Sequence, residues 1–319
     1  MSPDPDVVVL RQNIHGIPPD DYVDALDARL PDREVAYAAT PEAERHLLPG
    51  AEVVAGLDAD EALLDRAGNL RLFACSYAGV DHLPLDALRE RGVAVTNASG
   101  VHAPNVSEYA LGAVLAFARD FLESRRRQER REWRSHQVHE LTGSTVAVVG
   151  MGPIGRSVVD RLEAFDVHTV GVRYTPEKGG PTDEVYGYDE VYEAVGDAAY
   201  VVLACPLTDA TEHLIDAEAF LTMPPDAVLV NVARGGVVDT DALVEALRGN
   251  SIRGGALDVT DPEPLPEDHP LWGFENVLIT PHNAGHTPAY FERLADIVAD
   301  AVHAAEESGE WADLPNQVV

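Results

Sequence analysis

Lysine is almost absent from this 319-residue sequence: Lys178 is the single example, and every other basic side chain apart from histidine is arginine. Cysteine is nearly as scarce, with Cys75 and Cys205 alone, each inside an apolar, strand-like run. That scarcity argues against a disulfide framework and for two buried thiols in a reducing cytoplasm. No apolar run approaches the roughly 20 residues of a membrane-spanning helix; the longest candidate runs only from Tyr109 to Ala118. The amino-terminal MSPDPD lacks the basic and apolar segments of a secretion signal. Short internal repeats and low-complexity linkers are missing as well.

What the chain has in excess is negative charge. It carries 55 acidic residues against 23 Lys and Arg, a formal net charge of −32, spread along the whole sequence instead of gathered in a tail. The composition resembles that of proteins from extreme halophiles, where molar salt screens the self-repulsion. The Debye length is about 3 Å at 1 M salt and about 30 Å at 0.01 M, so the chain is expected to lose stability at low ionic strength. Binding to nucleic acid is disfavoured by the same charge. One segment, SRRRQERREWR at 124–134, is rich in arginine, but glutamates interrupt it and it continues a helical pattern. It reads as a solvated or interface helix face.

Short β-prone runs alternate with helical patterns throughout, which predicts an α/β protein. The first series is VVVL (7–10), VAYA (35–38), VVAG (53–56), LRLFACS (70–76) and VAVTN (93–97). A long helix is predicted from Pro104 towards residue 130. The second series is STVAVVG (144–150), HTVGVR (168–173), YVVLACP (200–206), VLVNVA (228–233), GGALDV (254–259) and NVLITP (276–281), followed by a helix over about 289–306. Two such series predict two doubly wound, Rossmann-like or flavodoxin-like parallel-sheet domains with an active-site cleft between them.

The run VAVVGMGPIGRSVVDRL places Gly150, Gly152 and Gly155 between a strand and a helix. Gly150 permits the tight turn, Gly152 lets backbone approach a pyrophosphate, and Gly155 lets the helix pack close to the strand. In this strand–turn–helix setting the spacing is a dinucleotide-binding signal, whereas glycine-rich turns alone are common. Three further strand ends carry chemistry: Arg234 in NVARGGVVD, Glu263 in ALDVTDPEPLP and His282 in ITPHNAGHT. Singly, each would be an ordinary surface charge; together at strand ends they suit 2-oxo acid chemistry.

With these segments, SYAGVDHLPLDAL (76–88), VTNASGVHAPNVSEYALGAVLAFAR (95–119), ELTGSTVAVVGMGPIGR (140–156) and CPLTDATEHLI (205–215), the sequence closely resembles the D-isomer-specific 2-hydroxyacid dehydrogenases over nearly its whole length. The resemblance implies a discontinuous substrate-binding domain, residues 1–100 plus 288–319, and an inserted dinucleotide-binding Rossmann domain, residues 101–287. It implies His282 as the acid that protonates the carbonyl oxygen. Glu263 would hydrogen-bond its other ring nitrogen and stabilise the imidazolium, and Arg234 would grip the substrate carboxylate. Backbone amides around Ala78 and Gly79 would bind that carboxylate too. Cofactor contacts are expected from the glycine turn with Pro153 and Ile154, and from Cys205, Pro206, Thr211, Val232, Ala233, His282 and Asp258, the last of which reads equally well as a strand-end turn residue. The family is usually homodimeric through the nucleotide domain, which gives the arginine-rich helix a use. No metal site is expected: His82 reads as structural, and His136 and His139 lack ligand partners at suitable spacing. His286 lies near the proposed site without an assigned role.

HTVGVRYTP (168–176) departs from the usual dinucleotide fingerprint. Where an acidic residue normally accepts hydrogen bonds from the adenosine ribose, this chain has Arg173, with Tyr174, Thr175 and Lys178 close behind. NADP(H) is therefore expected as the preferred cofactor, with NAD(H) possible. The expected activity is reduction of a small 2-oxo acid. Glu263 argues against formate oxidation, whose family members carry glutamine there. A short phosphoglycerate dehydrogenase or glyoxylate–hydroxypyruvate reductase, and a nucleotide-sensing protein without catalysis, remain the alternatives.

Overall fold

The computed structural model describes residues 5–319, which fall into two compact units. One comprises the chain up to His102 together with His286–Val319; the other is Ala103–Gly285.

The first unit winds through β1 (Val7–Leu10), α1 (Pro19–Arg29), β2 (Val35–Ala38), α2 (Pro41–Leu47), β3 (Val53–Gly56), α3 (Glu61–Arg66), β4 (Leu72–Cys75), α4 (Leu85–Glu90) and β5 (Ala94–Thr96). Its sheet is parallel, in the order β2-β1-β3-β4-β5. Helices cover both faces, so VVVL is apolar at every position instead of alternating. Successive side chains still point opposite ways. Val7 and Val9 pack with Tyr22 and Leu26 of α1, and Val8 and Leu10 with Leu48 and Leu64.

The second unit contains α5 (Ala103–Ala118), α6 (Phe121–Glu129), β6 (Thr145–Val149), α7 (Pro153–Leu162), β7 (His168–Val172), β8 (Glu184–Tyr186), α8 (Val191–Val195), β9 (Tyr200–Leu203), α9 (Ala217–Thr222), β10 (Val228–Asn231), α10 (Thr240–Arg248), β11 (Gly254–Leu257) and β12 (Val277–Ile279). Its strands are parallel too, in the order β12-β11-β10-β9-β6-β7-β8. Val146 and Val148 pack with α5 and α7 through Val106, Ala110, Val158 and Leu162, while Ala147 and Val149 face Phe220 and Leu243. The chain returns to the first unit as α11 (Tyr290–Ser308), which ends at Gly309 with φ +76°. Tyr22 of α1 stacks on Phe291 of α11, ring centroids 4.9 Å apart.

Two expectations need correction. The helix predicted from Pro104 towards 130 is two helices: Asp120 adopts φ +49° and its amide bonds to Phe117 O, three residues back. Asp tolerates this left-handed conformation, so helical composition continues through a break in the axis. The arginine-rich run is helical only to Glu129, and Arg131 has φ +60°. The edge strand β8 also escaped notice, because three residues beginning with a charge give no periodic signal. Among the described residues, no helix is long and apolar enough to cross a membrane.

Candidate active site

Because all strands of the second unit run the same way, their carboxyl ends share one edge of the sheet. From one side to the other that edge carries His282 beyond β12, Asp258 and Glu263 beyond β11, and Val232, Ala233 and Arg234 beyond β10. Cys205, Pro206 and Thr211 follow β9, the glycine turn follows β6, and Arg173 follows β7. The winding reverses between β6 and β9, the place where open α/β sheets take ligands.

At that reversal Gly150 has φ +105°, and its amide donates to Val172 O at 2.7 Å. A Cβ there would lie 2.6 Å from Ala204 C, and one at Gly155 would lie 1.8 Å from Gly150 O. Above Gly152, by contrast, a Cβ would meet nothing within 4 Å. Helix α7 starts at Pro153, and no side chain caps its first turn. Close-packed glycines on either side of an open one, before uncapped helix amides, fit a dinucleotide pyrophosphate. Ile154 is half-buried beside the core formed by α5 and α7.

Arg173 is half-buried, and its Nη1 donates to Gly179 O. The hydrogen bond closes a small loop, within which the Lys178 amide reaches Thr175 O at 3.2 Å. Tyr174 is 78 % exposed and meets Tyr188 edge-on at 6.3 Å. Burial pushes the Tyr188 phenol up to about 12, against the pull of the Arg173 charge. Among the described residues no carboxylate pairs with Arg173 or Lys178, in a chain with more than twice as many acids as bases.

On the other side, His282 Nδ1 and Glu263 Oε1 are 2.6 Å apart, each side chain a little under half exposed. His282 adopts φ +51°, and its amide donates to Asp258 O at 2.8 Å. The Asp258 side chain is 3 % exposed. Its carboxylate accepts from Thr280 Oγ1 at 2.5 Å, Asn283 N at 2.8 Å and Ala284 N at 2.9 Å. It therefore acts as the clamp of the histidine loop. Tyr109 of α5 holds Thr280 from behind, at 2.7 Å. A pocket of about 200 Å³ contains the Glu263–His282 pair, with Leu265, Trp272 and Ile279 on its apolar walls.

Arg234 is exposed on a segment that Asn231 grips from below. Asn231 accepts from Ala233 N at 3.0 Å and donates to Arg234 O at 3.1 Å. A Cβ on Gly235 would lie 2.0 Å from Thr260 O, so the Arg234 turn rests on the backbone that leads to Glu263. Asn231, Thr280 and Tyr109 were missed in the sequence, because a strand-end Asn, a Thr and a helix Tyr are each commonplace. Thr211 Oγ1 ties the β9 loop to Pro206 O at 2.6 Å, and burial pushes the Cys205 thiol up to about 11, leaving it neutral. In the first unit, Ala78 and Gly79 form an exposed turn beyond β4, anchored where Asn97 Nδ2 donates to Ala78 O at 2.7 Å. His82 Nε2 lies 2.7 Å from Leu57 O.

The model of the NAD-binding domain of D-isomer specific 2-hydroxyacid dehydrogenases matches residues 111–284, over half the chain. The chain belongs to this family of NAD(P)-dependent oxidoreductases. Among similar proteins, the chain is 37 % identical to a glyoxylate reductase of Thermofilum pendens over 250 residues, 75 % of this chain and 73 % of the relative. It is 34 % identical to a D-3-phosphoglycerate dehydrogenase of Methanocaldococcus jannaschii, across 84 % of this chain but only 52 % of that protein, so it spans about half the relative's length. A crystal structure of a D-isomer specific 2-hydroxyacid dehydrogenase from Xanthobacter autotrophicus Py2, in complex with NADPH and MES, aligns at a TM-score of 0.77 and 28 % identity over 99 % of the chain and 98 % of that one.

Proposed function

We propose that this chain reduces a small 2-oxo acid to a D-2-hydroxy acid, with NADPH preferred over NADH. The observation that carries the reading is the 2.6 Å contact between His282 Nδ1 and Glu263 Oε1. With Nδ1 engaged by a carboxylate, the ring is held in one orientation and Nε2 remains for a substrate oxygen. When bound, the nicotinamide supplies the hydride. Glu263 stabilises the His282 imidazolium, which donates its Nε2 proton to the carbonyl oxygen and is left as the neutral ring. Arg234 grips the carboxylate with its planar fork, and the exposed Ala78–Gly79 amides are assigned to the same group.

Residues that fit the cofactor are the Gly150–Gly155 turn with Pro153 and Ile154, and the β9 and β10 ends at Cys205, Pro206, Thr211, Val232 and Ala233. Arg173, Tyr174, Thr175 and Lys178 would meet a 2′-phosphate. NADP preference is supported by the lack of a paired carboxylate at Arg173. The first unit is assigned as the substrate-binding domain and the second as the nucleotide domain.

The relatives reduce glyoxylate or oxidise 3-phosphoglycerate by name, and the substrate here is drawn from the same chemical class. A homodimer through the second unit is part of this reading. The segment after α6 offers a concavity of about 750 Å³ with a fully exposed Trp133, and Glu123 binds Arg126 and Arg127 beside it. A cytoplasmic enzyme fits the two free thiols.

The test is NADPH consumption with a panel of 2-oxo acids in molar salt. Turnover that disappears in His282→Ala supports the reading. Nucleotide binding without any turnover would instead support a sensor.

A further inference from the structure

The loop after β1, RQNIHGIP (11–18), occupies the place in the first unit that the glycine turn occupies in the second, beside the winding reversal between β1 and β3. It contains a tight turn: Ile17 N donates to Ile14 O at 3.0 Å, and His15 and Gly16 both have positive φ, +54° and +71°. Such a turn favours Asn-Gly, so a histidine at its first central position is held there against preference. The His15 ring stacks on His286, centroids 4.3 Å apart and planes 7° from parallel. His102, beyond β5, lies 5.7 Å away, and Tyr290 at the start of α11 lies 5.3 Å away. Tyr290 Oη donates to Ser76 O at 2.5 Å, two residues before Ala78. The cluster is thus tied, within one unit, to the turn assigned to the substrate carboxylate.

The ring nitrogens of His15 and His286 have no hydrogen-bond partner among the described residues, and no carboxylate pairs with either, although the chain has 55 acids. Facing the stack are His102 from the β5 side and Tyr290 from α11, with Cys75 and Tyr77 from the end of β4 and Tyr22 of α1 beside Tyr290. Burial raises the Tyr22, Tyr290 and Cys75 groups, so all three stay neutral. Arg293 Nη1 donates to Val101 O at 3.0 Å, next to His102 in the chain. Burial, and then His286, hold His15 below its ordinary value, so it waits uncharged. Three residues before His15 in the same loop, the Gln12 amide is buried with neither of its polar atoms partnered among the described residues. Ring donors without a protein partner among the described residues and no competing carboxylate together describe an anion site.

We propose that the stacked His15–His286 pair is a subsite for a second anionic group, so that the substrate is a 2-oxo acid bearing a distal carboxylate, sulfonate or phosphate. The assignment rests on the 2-oxo acid reading above. An arriving anion raises the imidazole pKa, so binding takes up a proton and strengthens as pH falls.

The test compares kcat/KM at fixed ionic strength for hydroxypyruvate, 3-phosphohydroxypyruvate, 3-sulfopyruvate and oxaloacetate between pH 6 and 8. The enzymes are wild type, His15→Asn, which suits the turn, and His286→Gln. At least one doubly charged acid should be preferred by tenfold or more at pH 6 and by less at pH 8, and the arm with the largest preference identifies the distal group. Each substitution should cut that preference about tenfold through KM and flatten its pH dependence. A preference unmoved by both substitutions, or none for any dianion, overturns the proposal. Isothermal titration of 3-phosphohydroxypyruvate, 3-sulfopyruvate and oxaloacetate without cofactor, in buffers of different ionisation enthalpy, separates the two readings. Proton uptake with one of the three that is lost in His15→Asn supports the subsite even in the absence of turnover, and no uptake with any of them rejects it even in an active enzyme.

Discussion

The two units share one winding and differ in the loop that leaves their first strand. In the first, β2-β1-β3-β4-β5 has the same pattern as β7-β6-β9-β10-β11 in the second, which adds β8 and β12 at its edges. After β6 the helix begins at Pro153, and the three-residue turn is two glycines around Met151. After β1 the chain spends residues 11–18 before α1 and places Gln12 and His15 there. The short turn brings backbone amides to a ligand and suits a pyrophosphate; the longer loop presents side chains. One topology thereby offers two kinds of anion recognition, and the difference lies in a single loop.

The largest effect should come from closing the short turn. Gly155→Val would drive a side chain into Gly150 O, at a cost at the upper end of overpacking, about 3 kcal/mol or more. A fall in melting temperature with loss of nucleotide binding is expected, whereas Gly16→Asn in the longer loop, where a Cβ meets nothing within 4 Å, should be tolerated. Equal damage from both would erase the contrast between the two loops.

Next in size is chemistry. His282→Ala should lower kcat about 10³-fold with cofactor affinity kept, and Glu263→Gln roughly 10²-fold. Wild-type turnover in His282→Ala would remove the proton-transfer assignment.

Cofactor choice comes third. Arg173→Asp should shift the ratio of kcat/KM for NADPH over NADH towards NADH by about tenfold to a hundredfold, the worth of a charge-assisted hydrogen bond. An unchanged ratio would mean that Arg173 is spent on Gly179 alone.

The smallest effect concerns Glu123. Its carboxyl is held down to about 2, first by Arg127 and then by Arg126. A depressed carboxyl stabilises the fold above its ordinary value and loses that contribution as pH falls through the depressed one. The melting-temperature advantage of wild type over Glu123→Gln should therefore be complete at pH 6 and shrink steadily as pH falls towards 2. Unfolding midpoints followed from molar to millimolar salt would test the acidic composition alongside it, with a falling midpoint expected for both units.

Much of the architecture was legible because buried parallel strands are short continuous apolar runs, and eleven of the twelve described strands announce themselves that way. The missing one, β8, begins with Glu184 and gains its place only by pairing with Val170–Val172. The break at Asp120 was equally hidden, since nothing in LGAVLAFARDFLESRRR marks a left-handed residue. At the site, Arg234, Glu263 and His282 could be read as an order along the chain. Asn231, Thr280 and Tyr109 could not, because their part is to hold backbone that sequence does not locate.

By itself the sequence determined which residues could become strands, where a glycine turn must bend, that no acidic group stands at Arg173, and that the surface is acidic. These are local properties of composition and spacing. Tertiary structure alone decided that Glu263, nineteen residues from His282, lies 2.6 Å from it, that Asp258 turns inward to clamp the histidine loop, and that His15 and His286 stack although 271 residues separate them. The physical reason is the parallel sheet, which gathers strand ends from distant parts of the chain on one edge, so that neighbours there are set by strand order and not by sequence distance.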